Sequence, residues 1–291
     1  MRCGRRRLLA AGHEVTAYNR SPGKVAALVE KGAGEARTVA EACGGDVVIT
    51  MLANDDAVET VTFGDEGILA SLPAGATHVS SSTISLALAE QLTDAHAGAG
   101  HRFVAAPVFG RPEAAEAARL FVVAAGEPAA VQALSPVFDA IGQRTFVVAE
   151  QPKAANLVKL SGNFLIASVI ESLAESMALV QKACVDKQNY LEVLTSTLFD
   201  APVYKTYGGL LAREEFEPAG FTASLGLKDV RLVLAAGEAL QVPLPVASLI
   251  RDRFLTLLAN GGAHLDWSAL GKVASWEAGA ADGGGSFRSA L

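Results

Sequence analysis

The first half of the chain alternates short apolar runs with alanine-rich helical stretches, and this alternation limits the fold more than any other feature. The apolar runs have the length of strands, and several are nearly continuous Val, Ile, Phe and Ala, as is typical of parallel strands buried on both faces. The predicted strands are residues 14–18, 46–52, 77–81, 103–108, 120–125 and 145–148. The predicted helices between them are residues 24–31, 55–63, 85–99 and 129–140. Such an alternation predicts an α/β fold with a doubly wound parallel sheet.

From residue 153 onward the pattern becomes entirely helical. The predicted helices are residues 153–183, 187–199, 224–240, 244–260 and 267–275, with prolines between several of them. This change of pattern predicts a domain boundary near residue 150. We therefore expect an α/β domain over residues 1–150 and an all-α domain over residues 151–277. Residues 278–291, with three consecutive glycines, are predicted to form a flexible tail.

Composition and charge exclude several classes of protein. Hydrophobic residues make up 51% of the chain, which is enough to bury a core and excludes wholesale disorder. The net charge of −7 is unfavourable for binding nucleic acid or an anionic membrane, because both are negatively charged. No apolar run approaches the roughly 18 residues of a membrane span, and the basic N-terminus lacks the apolar region of a signal peptide. We expect a cytoplasmic protein that binds neither nucleic acid nor a membrane.

The sequence predicts no metal site. The three cysteines, Cys3, Cys43 and Cys184, are odd in number and widely spaced, which fits a reducing compartment and not a disulfide framework. The five histidines show no ligand spacing either.

The end of the first predicted strand carries the residues Asn19, Arg20 and Ser21. In a dinucleotide-binding sheet, an acidic residue at such a strand tip binds the ribose 2′-hydroxyl of NAD, whereas an arginine suits the 2′-phosphate of NADP. This tip has no acidic residue. Arg20 is equally compatible with an ordinary surface arginine, so the sequence favours NADP and leaves NAD open.

A strand before the first helix is absent from the sequence. A βαβ unit needs such a strand, and the turn after it holds the glycines that let a pyrophosphate approach the helix N-terminus. Here the chain begins with Met1, Arg2, Cys3 and Gly4, already inside the helical pattern, and no GxGxxG precedes it. The predicted sheet therefore lacks its first strand.

Five further motifs follow along the chain. They are Met51-Leu52-Ala53, Ser81-Ser82-Thr83, Ala106-Pro107-Val108-Phe109-Gly110, Leu157-Val158-Lys159-Leu160-Ser161-Gly162-Asn163 and Gly220-Phe221 with Leu227-Lys228-Asp229. Together with the segment from Gly12 to Ser21, they resemble the β-hydroxyacid dehydrogenase family. That family includes 3-hydroxyisobutyrate dehydrogenases, tartronate semialdehyde reductases and glyoxylate/succinic semialdehyde reductases. The resemblance covers residues 1–270.

The resemblance implies a Rossmann-like domain followed by an all-α domain of the 6-phosphogluconate dehydrogenase type. It also implies an NADP or NAD cofactor and hydride transfer between that cofactor and a small aldehyde, ketone or hydroxy acid. In the family's register, Met1 falls near the last glycine of the missing turn. We therefore expect an upstream strand, and a gap in the sheet between the predicted strands 14–18 and 46–52.

The resemblance further assigns roles to single residues. The implied catalytic residues are Lys159 and Asn163. The implied cofactor-binding residues are Asn19, Arg20, Ser21, Met51, Leu52, Ala53, Thr83, Phe221 and Lys228. The implied substrate-binding residues are Pro107, Val108, Phe109, Gly110 and Arg111. These assignments are expectations that the geometry of the chain must support.

Lys159 and Asn163 stand four residues apart, which places both on one face of a helix. Apolar neighbours would partly desolvate Lys159, and desolvation lowers the pKa of an ammonium group toward neutrality, as suits a proton donor. Spacing alone favours a solvated lysine at a helix start, with Asn163 as a polar neighbour. The resemblance implies that Lys159 is the proton donor and that Asn163 orients the substrate oxygen, so that no metal is needed.

The substrate motif departs from the family at three positions. Ala105 stands where the family usually has Asp, Phe109 where it has Ser, and Arg111 where it has a second Gly. Phe109 removes a hydroxyl that would hold a substrate carboxylate, whereas Arg111 either holds that carboxylate by a bidentate pair or lies on the surface after a turn. The physiological substrate is left open by these changes.

Two other functions remain open. A non-catalytic cofactor-binding member of the family is favoured by the absent glycine turn and disfavoured by the retention of Lys159 and Asn163. An imine reductase shares the two-domain plan, but such enzymes generally carry another residue in place of this lysine.

Finally, the helix predicted over residues 153–183 is more apolar than one buried face requires, so we expect a homodimer through the helical domain.

Overall fold

The computed structural model describes residues 2–21 and 23–279. The chain divides into two compact units, Met1–Lys159 and Leu160–Leu291, which are described one at a time. The domain limits expected from the sequence, 1–150 and 151–277, stay a prediction. Most of the predicted tail, from residue 280 onward, lies outside the described residues.

The first unit begins with a small two-stranded parallel sheet and its helices. The elements are α1 (Arg2–Ala10), β1 (Thr16–Ala17), α2 (Ala26–Val29), β2 (Gly34–Glu35) and α3 (Val39–Ala42). Strands β1 and β2 pair in the register Thr16 to Gly34 and Ala17 to Glu35. Their core is small and consists of Ala17, Val25, Leu28 and Ala33, with Leu9 packed against it.

A larger mixed sheet completes the first unit. Its strands are β3 (Val47–Thr50), β4 (Thr77–Ser80), β5 (Arg102–Ala105), β6 (Val108–Phe109), β7 (Leu120–Gly126) and β8 (Gly142–Ala149). The helices between them are α4 (Asp55–Phe63), α5 (Ile68–Ser71), α6 (Leu86–Gly98), α7 (Pro112–Glu116), α8 (Pro128–Ala133) and α9 (Ser135–Ile141). Strands β3, β4 and β5 run parallel. Strand β7 pairs antiparallel with β5 and β6, and parallel with β8.

The predicted fold class is confirmed, with two differences in detail. The strand expected over residues 103–108 divides into β5 and β6, because Pro107 has no N–H to donate to a ladder; its carbonyl accepts a hydrogen bond from the N–H of Val123 at 2.9 Å. The second difference is that β7 reverses direction, so the sheet is mixed where a fully parallel one was expected. Within residues 2–21 and 23–279, the β1–β2 pair and the larger sheet form two separate sheets, and the expected upstream strand stays a prediction.

Two buried histidines connect strands β3 and β4 with helix α6. His78 on β4 and His96 on α6 are both 0% exposed. The carbonyl oxygen of Leu92 lies 2.7 Å from His96 Nδ1 and can only accept, so this nitrogen carries the proton. It follows that His78 Nδ1 donates to His96 Nε2 (3.0 Å) and that the Thr50 hydroxyl donates to His78 Nε2 (3.0 Å). Both rings are neutral, and burial lowers the pKa of each.

The second unit is entirely helical in its described part. Helix α10 (Lys153–Lys182) starts in the first unit and continues here, followed by α11 (Lys187–Thr195), α12 (Pro202–Arg213), α13 (Ala223–Ala239), α14 (Pro245–Ala259) and α15 (Leu270–Glu277), with 3₁₀ turns at Gly262–His264 and Trp267–Ala269.

Helix α12 was not predicted, because Pro202 and the pair Gly208-Gly209 disfavour helix in isolation. Pro202 is tolerated at the first position of the helix. Gly208 leaves room for Leu191, since a Cβ there would lie 2.4 Å from that side chain.

Helix α10 is the one helix in residues 2–21 and 23–279 that is long and apolar enough to cross a membrane. Of its most apolar 18-residue window, 44% is buried inside the protein. Ala167, Ile170 and Leu173 on this helix belong to the core of the second unit, together with Phe254 and Trp267. A core helix of a globular protein has these properties.

Candidate active site

The loops after β3 and β4 meet at one edge of the larger sheet, because the two strands are parallel. The N–H of Leu52 donates to the Ser82 hydroxyl at 2.9 Å, and the N–H of Ser81 donates to the carbonyl of Thr50 at 2.8 Å. Met51 and Leu52 are half-buried, and Ala53 is exposed. The carboxyl edge of an open α/β sheet is where such folds bind their ligands.

Two side chains hold the turn that follows Thr83. The Oδ1 atom of Asn156 accepts a hydrogen bond from the N–H of Ile84 at 3.3 Å. The carboxylate of Asp55 accepts one from the N–H of Ser85 at 3.1 Å. Asn156 is buried in the first turn of α10, 72 residues away along the chain. Sequence reasoning missed it, and the only signal was an amide within an apolar helical stretch.

The predicted 2′-phosphate residues lie on an exposed turn after β1. Asn19, Arg20 and Ser21 are all exposed, and Asn19 Oδ1 accepts a hydrogen bond from the N–H of Ser21 at 3.0 Å. A second exposed arginine, Arg37, stands two residues beyond the end of the paired strand β2. Neighbouring strand ends that carry cations suit a phosphate dianion. Arg37 was missed from the sequence because its strand has only two residues.

The predicted substrate motif forms β6 and the turn after it. Pro107 and Val108 are buried, whereas Phe109 and Arg111 are half-buried. Gly110 has φ +145°, and a Cβ there would lie 2.6 Å from a side-chain carbon of Leu120, so only glycine fits. This turn places Arg111 at the N-cap of α7.

Lys159 lies on α10, and its ammonium group faces the motif. Its Nζ atom lies 4.2 Å from the centroid of the Phe109 ring. The side chain is half-buried. Asn163 follows one turn later on the same face of the same continuous helix.

In the second unit, Asn163 belongs to a buried polar cluster with Lys228 and Asp229. Asn163 is 4% exposed and Asp229 is 3% exposed. The Nδ2 atom of Asn163 donates to Asp229 Oδ2 at 2.6 Å, and Lys228 Nζ lies 2.9 Å from Asp229 Oδ1. The carboxylate therefore fixes the amide of Asn163 and is itself neutralised by Lys228. The sequence had identified Asp229 only as part of the motif Leu227-Lys228-Asp229, and its contact with Asn163 was not predicted.

Phe221 is held by a second buried carboxylate of the same unit. Asp266 Oδ2 accepts hydrogen bonds from the N–H groups of Gly220 (3.0 Å) and Phe221 (3.2 Å), and Oδ1 accepts one from the Ser268 hydroxyl (2.7 Å). The Phe221 ring meets the edge of the Trp267 ring at a centroid distance of 4.9 Å. Asp266 thus fixes the loop of Phe221, and nothing in its sequence surroundings indicated this.

Comparison with known proteins places these residues in a family. Residues 5–149 match the NAD binding domain of 6-phosphogluconate dehydrogenase, and residues 154–274 match the NAD-binding domain of NADP-dependent 3-hydroxyisobutyrate dehydrogenase. The chain belongs to the β-hydroxyacid dehydrogenase family. It is accordingly an NAD(P)-dependent oxidoreductase. The resemblance inferred from the motifs is confirmed.

Individual members of the β-hydroxyacid dehydrogenase family are similar over nearly the whole chain. The uncharacterized oxidoreductase YfjR of Bacillus subtilis is 46% identical over 266 residues, covering 91% of this chain and 93% of that protein. Glyoxylate/succinic semialdehyde reductase 1 of Arabidopsis thaliana is 31% identical, covering 90% and 91%. The crystal structure of 3-hydroxyisobutyrate dehydrogenase from Salmonella typhimurium has a TM-score of 0.85 at 27% identity, covering 94% of this chain and 95% of that one.

Proposed function

We propose that this protein is an NADPH-preferring reductase that converts a small aldehyde or ketone into the corresponding hydroxy compound. Lys159 is the proton donor, and Asn163 orients the carbonyl oxygen. One observation carries the proposal: Lys159 and Asn163 stand one turn apart on α10, and the buried Asp229 fixes the amide of Asn163. An amide that is held in place binds a substrate oxygen without first losing side-chain freedom.

The polar groups of the chain fit a phosphorylated dinucleotide. Arg20 and Arg37 provide exposed cations at two paired strand ends, and Tyr18 and Asn19, which separate β1 from Arg20, carry no carboxylate. In this proposal, Asn19, Arg20 and Ser21 bind the adenosine end, while Met51, Leu52, Ala53 and Thr83 line the path at the carboxyl edge of the larger sheet. Phe221 and Lys228 contact the nicotinamide end. The bound cofactor supplies a hydride to the carbonyl carbon.

The remaining steps belong to the side chains. As the carbonyl oxygen gains negative charge, the ammonium of Lys159 transfers a proton to it, so that an O–H bond forms and an N–H bond breaks. Water then returns a proton to the neutral amine. In the direction of oxidation, the neutral Lys159 takes the proton of the substrate hydroxyl. Proton transfer by a positioned side chain typically contributes about 10²–10⁴ in rate.

The substrate motif suggests a small substrate whose carboxylate is bound by Arg111. The relatives named above act, by their names, on glyoxylate, succinic semialdehyde and 3-hydroxyisobutyrate, all of which are carboxylates. Pro107, Val108, Phe109 and Gly110 complete the proposed substrate site. Arg111 takes over the role of the hydroxyl that Phe109 lacks, because a guanidinium binds a carboxylate through two parallel hydrogen bonds.

NADPH oxidation with glyoxylate, succinic semialdehyde, a neutral aldehyde and a cyclic imine tests both points. We expect turnover with the aldehydes and none with the imine. Replacing Arg111 by Ala should raise KM for the two carboxylate substrates about 10- to 100-fold, since a charge-assisted pair is lost, and leave KM for the neutral aldehyde unchanged. Equal changes for all aldehydes would assign Arg111 to the surface. Turnover of the imine alone would indicate an imine reductase, and absence of any turnover a non-catalytic member of the family.

The choice between NADPH and NADH is predicted to depend on Arg20. The variant Arg20→Asp should lower kcat/KM for NADPH at least 10-fold, because it replaces a phosphate-binding cation by a repelling anion. The value for NADH should change little. The control is Arg144→Asp, an arginine of the edge strand β8 that packs on Phe146. A protein that prefers NADH before mutation, or an unchanged ratio in Arg20→Asp, contradicts the assignment.

We propose further that the protein is a homodimer through its helical unit, and that it resides in the cytoplasm. Support for the dimer comes from α10, where Leu165 and Leu179 are 61% and 73% exposed although the helix is apolar. Light scattering after gel filtration should give twice the mass of one chain. The double variant Leu165→Glu with Leu179→Glu should give a folded single chain; an unchanged mass would place the contact elsewhere.

A further inference from the structure

The ring of Phe109 lies against the ammonium group of Lys159. The distance from Nζ to the ring centroid is 4.2 Å, well inside the roughly 6 Å within which a cation and an aromatic face attract each other. Both residues belong to the first unit. By the resemblance, the position of Phe109 is one where the family motif usually has a serine, which has no ring.

The ring itself has little freedom to move. The backbone of Phe109 pairs with Phe121 of β7, which fixes the direction of the side chain. The ring packs into a small apolar cluster formed by Ala105, Val123, Ala125 and Ala155, with Ala149 beside it. Ala155 stands one helical turn before Lys159 on α10, so the helix that carries the lysine also contacts the ring.

The other end of the motif is also fixed. Gly110 packs so closely against Leu120 and Ala114 that no larger residue fits, and its φ of +145° sets the direction of the turn. Strand β6 therefore cannot slide along β7 without losing this packing. A fixed ring provides a fixed site for the charge, whereas a long lysine side chain alone samples many rotamers.

We propose that Phe109 is a positioning residue, whose ring holds the ammonium group of Lys159 in place by a cation–π contact. This inference rests on the proposed function, in which Lys159 is the proton donor. A lysine that is already held at one point loses less freedom when it approaches the substrate oxygen, and the proton transfer gains rate accordingly. A serine at this position would offer the ammonium group no aromatic face.

Nuclear magnetic resonance of protein labelled with ¹³Cε-lysine tests the contact without any substrate. The signal of Lys159 is assigned by its loss in Lys159→Met. In the unmodified protein, the ε-protons of Lys159 should be shifted upfield by the ring current of Phe109. The shift should disappear in Phe109→Leu, which keeps apolar bulk, and persist in Phe109→Tyr, which keeps a ring. An unshifted Lys159 signal in the unmodified protein overturns the inference.

Steady-state kinetics on the same variants test the consequence. Phe109→Leu should lower kcat about 3- to 30-fold, the range that corresponds to one cation–π contact, with the KM for NADPH unchanged. Phe109→Tyr, which keeps the ring, should retain a larger part of the kcat than Phe109→Leu does. Thermal melting confirms that both variants are folded. If Lys159→Met is fully active, the proposed function fails, and the NMR experiment still decides whether the contact exists. If Phe109→Leu keeps both the upfield shift of the Lys159 ε-protons and full kcat, only the inference about Phe109 fails.

Discussion

Replacing Lys159 by methionine should lower kcat by roughly 10² to 10⁴ while the affinity for NADPH stays nearly unchanged. Methionine has a similar length and keeps the apolar contact with the Phe109 ring, but it has no proton to give. The measurement is NADPH oxidation at saturating aldehyde, with cofactor affinity taken from nucleotide fluorescence. Loss of kcat without loss of cofactor affinity separates a proton donor from a residue that binds the nucleotide.

The same helix provides a matched control for this experiment. Lys153 lies near the start of α10 and forms an exposed ion pair with Glu90. Exposed pairs of this kind contribute about 0–1 kcal/mol, so Lys153→Met should leave both kcat and folding essentially unchanged. A folded Lys159→Met protein with full turnover would show that another group donates the proton.

Acid should destabilise this protein through the pair His78 and His96. Burial lowers the pKa of both below the ordinary value of 6.5. In the unfolded chain both protonate as the pH falls through about 6.5, whereas in the native protein they stay neutral. The unfolded state then binds more protons, so the stabilisation is fully present above pH 6.5 and is lost as the pH falls below it. The expected loss is at most about 1.4 kcal/mol per pH unit for each histidine.

The carboxyl group of Glu171 has the opposite effect on how stability changes with pH. Burial raises the pKa of Glu171 to about 7, even though Arg253 contacts it, so the native protein gains a proton there between pH 7 and about 4.5. This stabilisation is present at low pH and is lost as the pH rises through 7. Its contribution is the same with or without the histidines, so a comparison of variants removes it.

Urea unfolding at pH 8, 7, 6 and 5.5 therefore compares three proteins. His78→Gln should reduce the slope of the unfolding free energy against pH by up to about 1.4 kcal/mol per unit. His96→Gln, which removes the other ring of the buried pair, should reduce the slope in the same way. If His78→Gln and the unmodified protein share one slope, the buried pair does not titrate as its hydrogen bonds require.

Local sequence patterns predicted most of the elements of the fold. The apolar runs of β3, β4 and β5 are long enough to mark strands, and the amphipathic or apolar repeats of α6, α10, α13 and α14 mark helices within a few residues of their ends. Helix α12 was missed, because Gly208 is unfavourable in an isolated helix and becomes favourable only when Leu191 packs on it. The antiparallel direction of β7 was missed as well, because an apolar run has the same pattern in a parallel and in an antiparallel strand.

The candidate site was predictable to a similar depth. Motifs named the residues that would touch ligands, including Lys159, Asn163 and Phe221. They did not name the residues that hold these groups in place. Asp229 binds Asn163 from 66 residues away, and Asp266 binds the loop of Phe221 from 45 residues away. Such contacts depend on packing between distant segments, and they cannot be recognised from the residues that neighbour Asp229 or Asp266 in the sequence.

The two-stranded sheet of β1 and β2 has a consequence for how tightly a nucleotide is held. Its core is formed by Ala17, Val25, Leu28 and Ala33, three of which are among the smaller apolar residues. Because this core is small, we expect the β1–β2 ribbon to open locally more often than the larger sheet, and its amides to exchange with solvent first. A ligand that requires Arg20 and Arg37 in register binds only the closed fraction, and its apparent affinity falls by that fraction. A bound nucleotide would in turn keep β1 and β2 paired, so the fraction of protein in which these strands are paired should rise with the concentration of nucleotide.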